Sequence, residues 1–162
     1  MITKIGNKKQ FKPYTTDGKT SVVMWDFQPI FKDGVDTGKG TWNIEYFDKV
    51  MSFDEIKTFI LDYYNQKIDE KILSGMMWNG MEVWLSSENQ FNYKAAYDLA
   101  IQTNGTNLPV VFKFGKANEP QYYEFSNMDE FSDFYIKTMS YIQNTLLDGW
   151  KFKDSINWEI YK

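Results

Sequence analysis

The 162-residue sequence contains no cysteine and no histidine, and all 18 of its basic residues are lysine. Without cysteine there is no disulfide framework, no thiolate zinc site and no thiol chemistry. Without histidine, no side chain ionises near neutrality at its ordinary pKa. Serine–histidine hydrolysis and histidine-rich metal sites are excluded with it. Without arginine, the planar fork that grips phosphates and guanine edges is missing. The net charge of −4 points the same way, because non-specific nucleic-acid affinity is mainly neutralisation of phosphate by basic side chains. Nucleic acid is therefore not an expected partner. No apolar run approaches membrane-spanning length, so a membrane is not expected either. The opening "MITKIGNKKQFKPYTTDGK" has no apolar signal core, and a soluble product made in a cytosol is expected.

What the chain does have is aromatic mass, with 6 Trp, 11 Tyr and 13 Phe. Most such rings fill cores, but this number is large for one small core. Some are therefore expected on a contact surface, where Trp and Tyr act as rigid anchors. The length suits one domain, or one domain with an appendage.

One local plan recurs three times. "SVVMWDFQPIF" (21–31), a loop "KDGVDTGKG" and "TWNIEYF" (41–47) precede a helix capped by Ser52 with Glu55 three residues on. Alternation of Trp42, Ile44 and Tyr46 with Asn43 and Glu45 marks a half-buried strand. Pro29 has no N–H for a ladder, so its strand is expected to lie at an edge or to break there. Phe53, Ile56, Phe59, Ile60, Tyr63, Ile68 and Ile72 keep helical spacing up to Gly75. The second unit places "MMW" and "MEVWL" around Asn79-Gly80, the strongest short hairpin signal. Ser87 and Gln90 then open a helix whose buried stripe is expected at Phe91, Ala95, Ala96 and Leu99. The third pairs "LPVVFKFG" with "QYYEFS". A helix follows, capped at Ser126 or Asn127, with Phe131, Phe134, Tyr135, Met139, Ile142 and Leu146 inward and Gly149 as its stop.

The helix starts lie roughly 35–40 residues apart, a spacing at which repeats are considered. The residues do not align beyond the caps, so ordinary hairpin-then-helix grammar is the preferred account. The expected fold is α+β, an antiparallel sheet built from hairpins with two or three helices on one face. Residues 1–50 are expected to form an N-terminal β-hairpin region and 51–162 an α+β body. The first 20 residues suggest an arm or first edge strand. The tail "DGWKFKDSINWEIYK" suggests a short helix or strand, with Trp150 and Trp158 packing back.

Chemistry-bearing motifs are thin. "GVDTGKGTW" lacks the glycine spacing and the Ser/Thr of a phosphate loop, and is expected to be a hairpin loop. Asp33 and Asp36 fall short of a calcium loop. Glu82, Glu88, Glu119 and Glu124 are expected on the surface, since any acidic protein offers such carboxylates. Trp25, Trp42, Trp78 and Trp84 are equally suited to a core and to stacking on sugars. No catalytic residue, cofactor or metal ligand is expected.

The segments "SENQFNYKAAYDLA", "LPVVFKF", "YYEFSNMDEFSDFY" and "YIQNTLLDGWKFKDSI" resemble an uncharacterised domain found toward the C-termini of bacteriophage tail and fibre-associated proteins. The shared elements are an "ENQ-x-NYKA" helix start, a strand ending in "FK", an "EF" before a helix and a "GWK-x-K" finish. They fall within about residues 66–162. The chain differs from those relatives in having more aromatics and less alanine. The resemblance implies a non-enzymatic virion component (a fibre, tail or capsid-associated subunit) made in a bacterial host's cytoplasm. Other virion proteins and further copies of itself would be its partners. Trp25, Phe27 and Phe31 of the first hairpin are the expected partner-binding residues, because they lie outside the expected α+β body. A small acidic inhibitor of a host or competitor enzyme is the alternative expectation, and a carbohydrate-binding module the third.

Overall fold

The computed structural model describes residues 1–162. The fold is α+β, with three α-helices and antiparallel strands. The hairpins do not join in one sheet: one sheet has four strands and two have two. No helix is long and apolar enough to cross a membrane. Two compact units are formed, Met1–Tyr63 with Ser155–Lys162, and Tyr64–Asp154. Sequence punctuation drew the line at residue 50, whereas the first helix contributes residues to both units.

In the first unit, β1 (Ile2–Asn7), β2 (Tyr14–Thr16), β3 (Ser21–Lys32) and β4 (Val35–Phe47) assemble in the order β1-β4-β3-β2. The loop expected over 32–40 shrinks to two residues. Asp33 and Gly34 both have positive φ (52° and 79°), the requirement of a tight hairpin turn that suits strand twist. Residues 35–40 can then stay in the ladder. Pro29 sits beside a register shift in β3, beyond Val23, the last residue of β3 that β2 pairs. Here β3 has β4 on one side only, and its ladder shifts register just after Pro29, in keeping with an edge or break at a proline. The opening residues do form an edge strand, β1, paired along its length with β4.

The helix α1 (Phe53–Leu73) begins as its sequence indicates. The Ser52 N–H donates to Glu55 Oε2 at 2.8 Å, and the Glu55 N–H donates to Ser52 Oγ at 3.3 Å. Ile56 and Ile60 are buried, and Phe59 and Tyr63 meet Trp25 edge-on at 5.0 and 5.4 Å. The Lys49 ammonium, then the Ser52 N–H and hydroxyl, hold the Glu55 carboxyl down at about 2. Its folded value lies below the unfolded one. The contribution is therefore present above the ordinary carboxylate range and is lost as pH falls from about 4.5 toward 2. Acid titration followed by circular dichroism should show a slightly flatter acid limb in Glu55→Gln, small because the group is solvent-exposed. At the tail, Trp158–Tyr161 form a 3₁₀ turn, not a strand. Its buried Tyr161 hydroxyl donates to Met24 O at 3.1 Å.

The second unit holds the rest of α1, the hairpin β5 (Met76–Trp78) and β6 (Met81–Val83), α2 (Ser87–Gln102), the hairpin β7 (Val110–Lys116) and β8 (Glu119–Phe125), and α3 (Met128–Asp154). Asn79 and Gly80, at φ 46° and 77°, make the predicted tight turn. Gly75 ends α1 at φ 82° with its Cβ position 2.3 Å from Val83 O, so only glycine fits there. The core gathers Ile72, Trp78, Val83, Leu85, Tyr93, Ala100, Phe114, Phe125, Phe131 and Phe134.

Four expectations for this unit are corrected. The α2 cap is Ser86, not Ser87: Ser86 Oγ accepts the Asn89 N–H at 3.2 Å. Ser86→Ala should cost about 1 kcal/mol in urea unfolding, while Ser87→Ala should stay within about 0.5 kcal/mol. The inward stripe of α2 is Tyr93, Ala96, Tyr97 and Ala100, while Phe91 is 70% exposed. Tyrosines occupy the inner face because their hydroxyls find partners: Tyr93 donates to Trp84 O and Tyr97 to Ser132 Oγ, both at 3.1 Å. Burial pushes the Tyr93 hydroxyl up to about 12, so it stays a neutral donor. Third, Gly149 does not stop α3, which runs on to Asp154. A Cβ at 149 would lie 2.2 Å from Ile68 Cδ1, so this glycine lets α1 approach α3. Trp150, expected to pack back, is exposed.

Candidate interaction surface

Two register shifts interrupt the strand that carries the three residues expected to bind a partner, and the first sets Trp25 apart from Phe27. Trp25 pairs with Asn43 and Gln28 with Thr41, leaving Asp26 and Phe27 opposite Trp42 alone. Asp26 takes up the extra residue with φ 59°. A bulge of this kind shifts side-chain alternation by one position. Trp25 therefore faces α1, and Phe27 joins Trp42 on the other side. Trp25 is 1% exposed and belongs to the core, not to a surface. Phe27 is half-buried and stacks on Trp42 at 6.2 Å, with Phe11 at 5.2 Å. Phe31 alone is free, 60% exposed near the tip of the β3–β4 hairpin.

Two glycines make room for these rings. A Cβ at Gly40 would lie 2.5 Å from the Phe27 ring, and one at Gly6 would lie 2.7 Å from Trp42 Cη2. Gly6 and Gly40 are register partners across β1 and β4. Beyond them the hairpin continues through Phe31 opposite Asp36 and Lys32 opposite Val35, with Phe31 and Val35 exposed. β1 pairs only as far as Lys39, so the tip has neither β1 nor β2 beside it. Asp36, weighed as a cation ligand, instead accepts the Gly38 N–H at 2.8 Å within β4.

The outer edge of the sheet is β1, with Ile2 and Ile5 exposed and its second hydrogen-bonding side open. Its surroundings are basic. Lys4 donates to the Tyr46 hydroxyl at 3.1 Å, and Lys8 lies 6.0 Å over the Phe27 ring. Lys9 and Lys12 follow within the next four residues. Such an edge is a ready template for strand pairing.

Elsewhere the surface holds shallow grooves. One of about 440 Å³ sets Asp54, Glu55 and Asp62 beside Lys49, Met51 and Phe59. Another of about 250 Å³ runs over Ile68 and Gly149 between Tyr64 and Phe152. No group of three or more acidic side chains is disposed to hold a metal ion. Glu82, Glu88, Glu119 and Glu124 are all exposed. Of the four tryptophans considered for sugar stacking, Trp25, Trp42 and Trp78 are buried, and Trp84 is half-buried with Lys113 at 5.6 Å from its ring. The free hairpin tip and the β1 edge carry no strong sequence signal. Hydrophobic residues at turns and edges are individually ordinary, and only the sheet order leaves these without a further strand beside them.

Searches against protein-family models, curated proteins and solved structures gave no match to this chain.

Proposed function

We propose that the chain is a bacteriophage virion component, a fibre, tail or capsid-associated subunit that works by protein–protein contact and not by catalysis. The observation that carries this reading is the β3–β4 hairpin, whose tip offers Phe31 and Val35 to solvent beyond the strands that flank it. An apolar tip on a paired, well-defined hairpin is a low-entropy anchor, the kind of element that docks into a groove or onto a strand edge. The motifs shared with phage tail and fibre-associated domains support the same reading. So does a residue set without histidine or cysteine, which leaves little for acid–base or nucleophilic chemistry. On this reading the protein is made in the bacterial cytoplasm, assembles with other virion proteins and with its own copies, and ends in the particle.

Quantitative mass spectrometry of purified particles tests the proposal. A fixed copy number per particle is expected, and Phe31→Ser should lower incorporation without altering the folded spectrum. Absence from particles, with early expression and a stoichiometric host-enzyme complex, would replace it with the inhibitor reading.

A further inference from the structure

We infer that β1 is an exchangeable strand, and that its second occupant is the β1 of another copy of this chain, seated on β4 in the register seen within the single chain. The inference rests on the contact-protein reading above and specifies how copies join.

Three observations carry it. First, the receiving edge of β4 displays its own ligand: Ile2 opposite Ile44, through to Asn7 opposite Lys39. A partner's β1 would remake every one of those pairs, so exchange loses nothing of the ladder. Second, β1 is loosely held. Five of its six residues are exposed and none is in the core. Besides the ladder, its ties are Thr3 to Asn43, Lys4 to Tyr46, and the terminal ammonium to Glu45 at 2.7 Å. An element with so little burial opens locally, well short of global unfolding.

Third, the connection is built to extend. Residues 8–13 (Lys-Lys-Gln-Phe-Lys-Pro) hold three lysines and no acid. The closed form folds Lys8 and Lys9 into a single 3₁₀ turn, tied by Asn7 and Gln10 side chains that are exposed. Like charges in a short linker favour its extended form, and Pro13 biases Lys12 toward extended backbone. Six extended residues reach about 20 Å, enough to carry β1 away from its own sheet. Phe11, packed on Phe27 and Trp42 in the closed form, is an apolar tie that the connection releases when it extends.

The chain's lack of cysteine gives a clean test. Ile5 and Thr41 are register partners on β1 and β4, at a separation that suits a disulfide. Full-length Ile5→Cys and Thr41→Cys chains, each carrying one substitution, are mixed at high concentration, equilibrated and oxidised. The expected result is a cross-linked pair at twice the chain mass in the mixture and in neither variant alone. Pro13→Ala should weaken that association about two- to five-fold. Cross-linking of Ile5→Cys with itself would mean edge-to-edge pairing of two β1 strands and would overturn exchange. A dimer by light scattering whose Ile5→Cys/Thr41→Cys double variant closes only within single chains would also overturn it, while leaving an oligomeric subunit intact. A monomer at every concentration would remove both exchange and self-assembly, without touching contact with other virion proteins.

Discussion

Trp78→Ala is expected to lower the unfolding free energy by about 3–5 kcal/mol, the largest single effect in the second unit. The indole is 2% exposed. It meets Tyr123, Phe125, Phe134 and Phe114 with ring centroids at 5.0, 5.4, 5.3 and 6.2 Å, mostly edge-on or tilted. Those contacts come from three different elements, so no one neighbour can move in to fill the space. Its Nε1–H donates to Asp133 Oδ2 at 3.1 Å, giving the ring a fixed orientation. Asp133 is also held in its charged form by Lys137, and secondarily by this indole, so its carboxylate is not stranded when the ring is removed. The cost of alanine is thus almost wholly cavity and lost burial. Trp78→Phe should recover most of it, losing about 1 kcal/mol with the hydrogen bond. Urea unfolding followed by circular dichroism would check both. A loss below 1 kcal/mol for alanine would mean that the ring cluster is not closely packed.

The second large effect separates core from contact in the first hairpin. Trp25→Ala should also cost about 3–5 kcal/mol, because the indole is clamped between β3 and the Phe59 and Tyr63 rings of α1. Phe31→Ser should stay within about 0.5 kcal/mol, since Phe31 is mostly in water. On the contact role proposed above, Phe31→Ser should lose partner contact in assembly assays while folding normally. Trp25→Phe adds a finer check. The Trp25 Nε1–H is buried without a hydrogen-bond partner, so phenylalanine removes an unsatisfied donor along with part of the ring. Its cost should fall clearly below that of alanine. Denaturant midpoints and particle incorporation, measured on the same variants, would show whether the two residues belong to different roles.

Some of this protein was decided by short-range chemistry and is legible in order along the chain. Ser52 and Glu55 can satisfy one another's N–H groups only at helix spacing. Asn79-Gly80 accepts positive φ at both turn positions, and the stripe from Ile56 to Ile60 has one face to bury. These features depend on residues within a few positions of each other, so local pattern suffices, and with them comes the α+β class. The absence of histidine, cysteine and arginine likewise needs no structure to restrict the available chemistry.

Everything that depended on a distant neighbour was decided by the tertiary structure. Gly149 carries a helix-stop signal, yet α3 passes through it because Ile68 requires the missing side chain. Tyr93 and Tyr97 displaced Phe91 and Leu99 from the inner face of α2 because Trp84 O and Ser132 Oγ could accept their hydroxyls. The bulge at Asp26 sent Trp25 and Phe27 to opposite sides of the sheet, which no alternation pattern foretells. Only the strand order left the outer side of β1, and both sides of the hairpin tip, without a neighbouring strand. A sequence states which groups need partners; which partners they meet, and which groups are left over for another molecule, follows from packing alone.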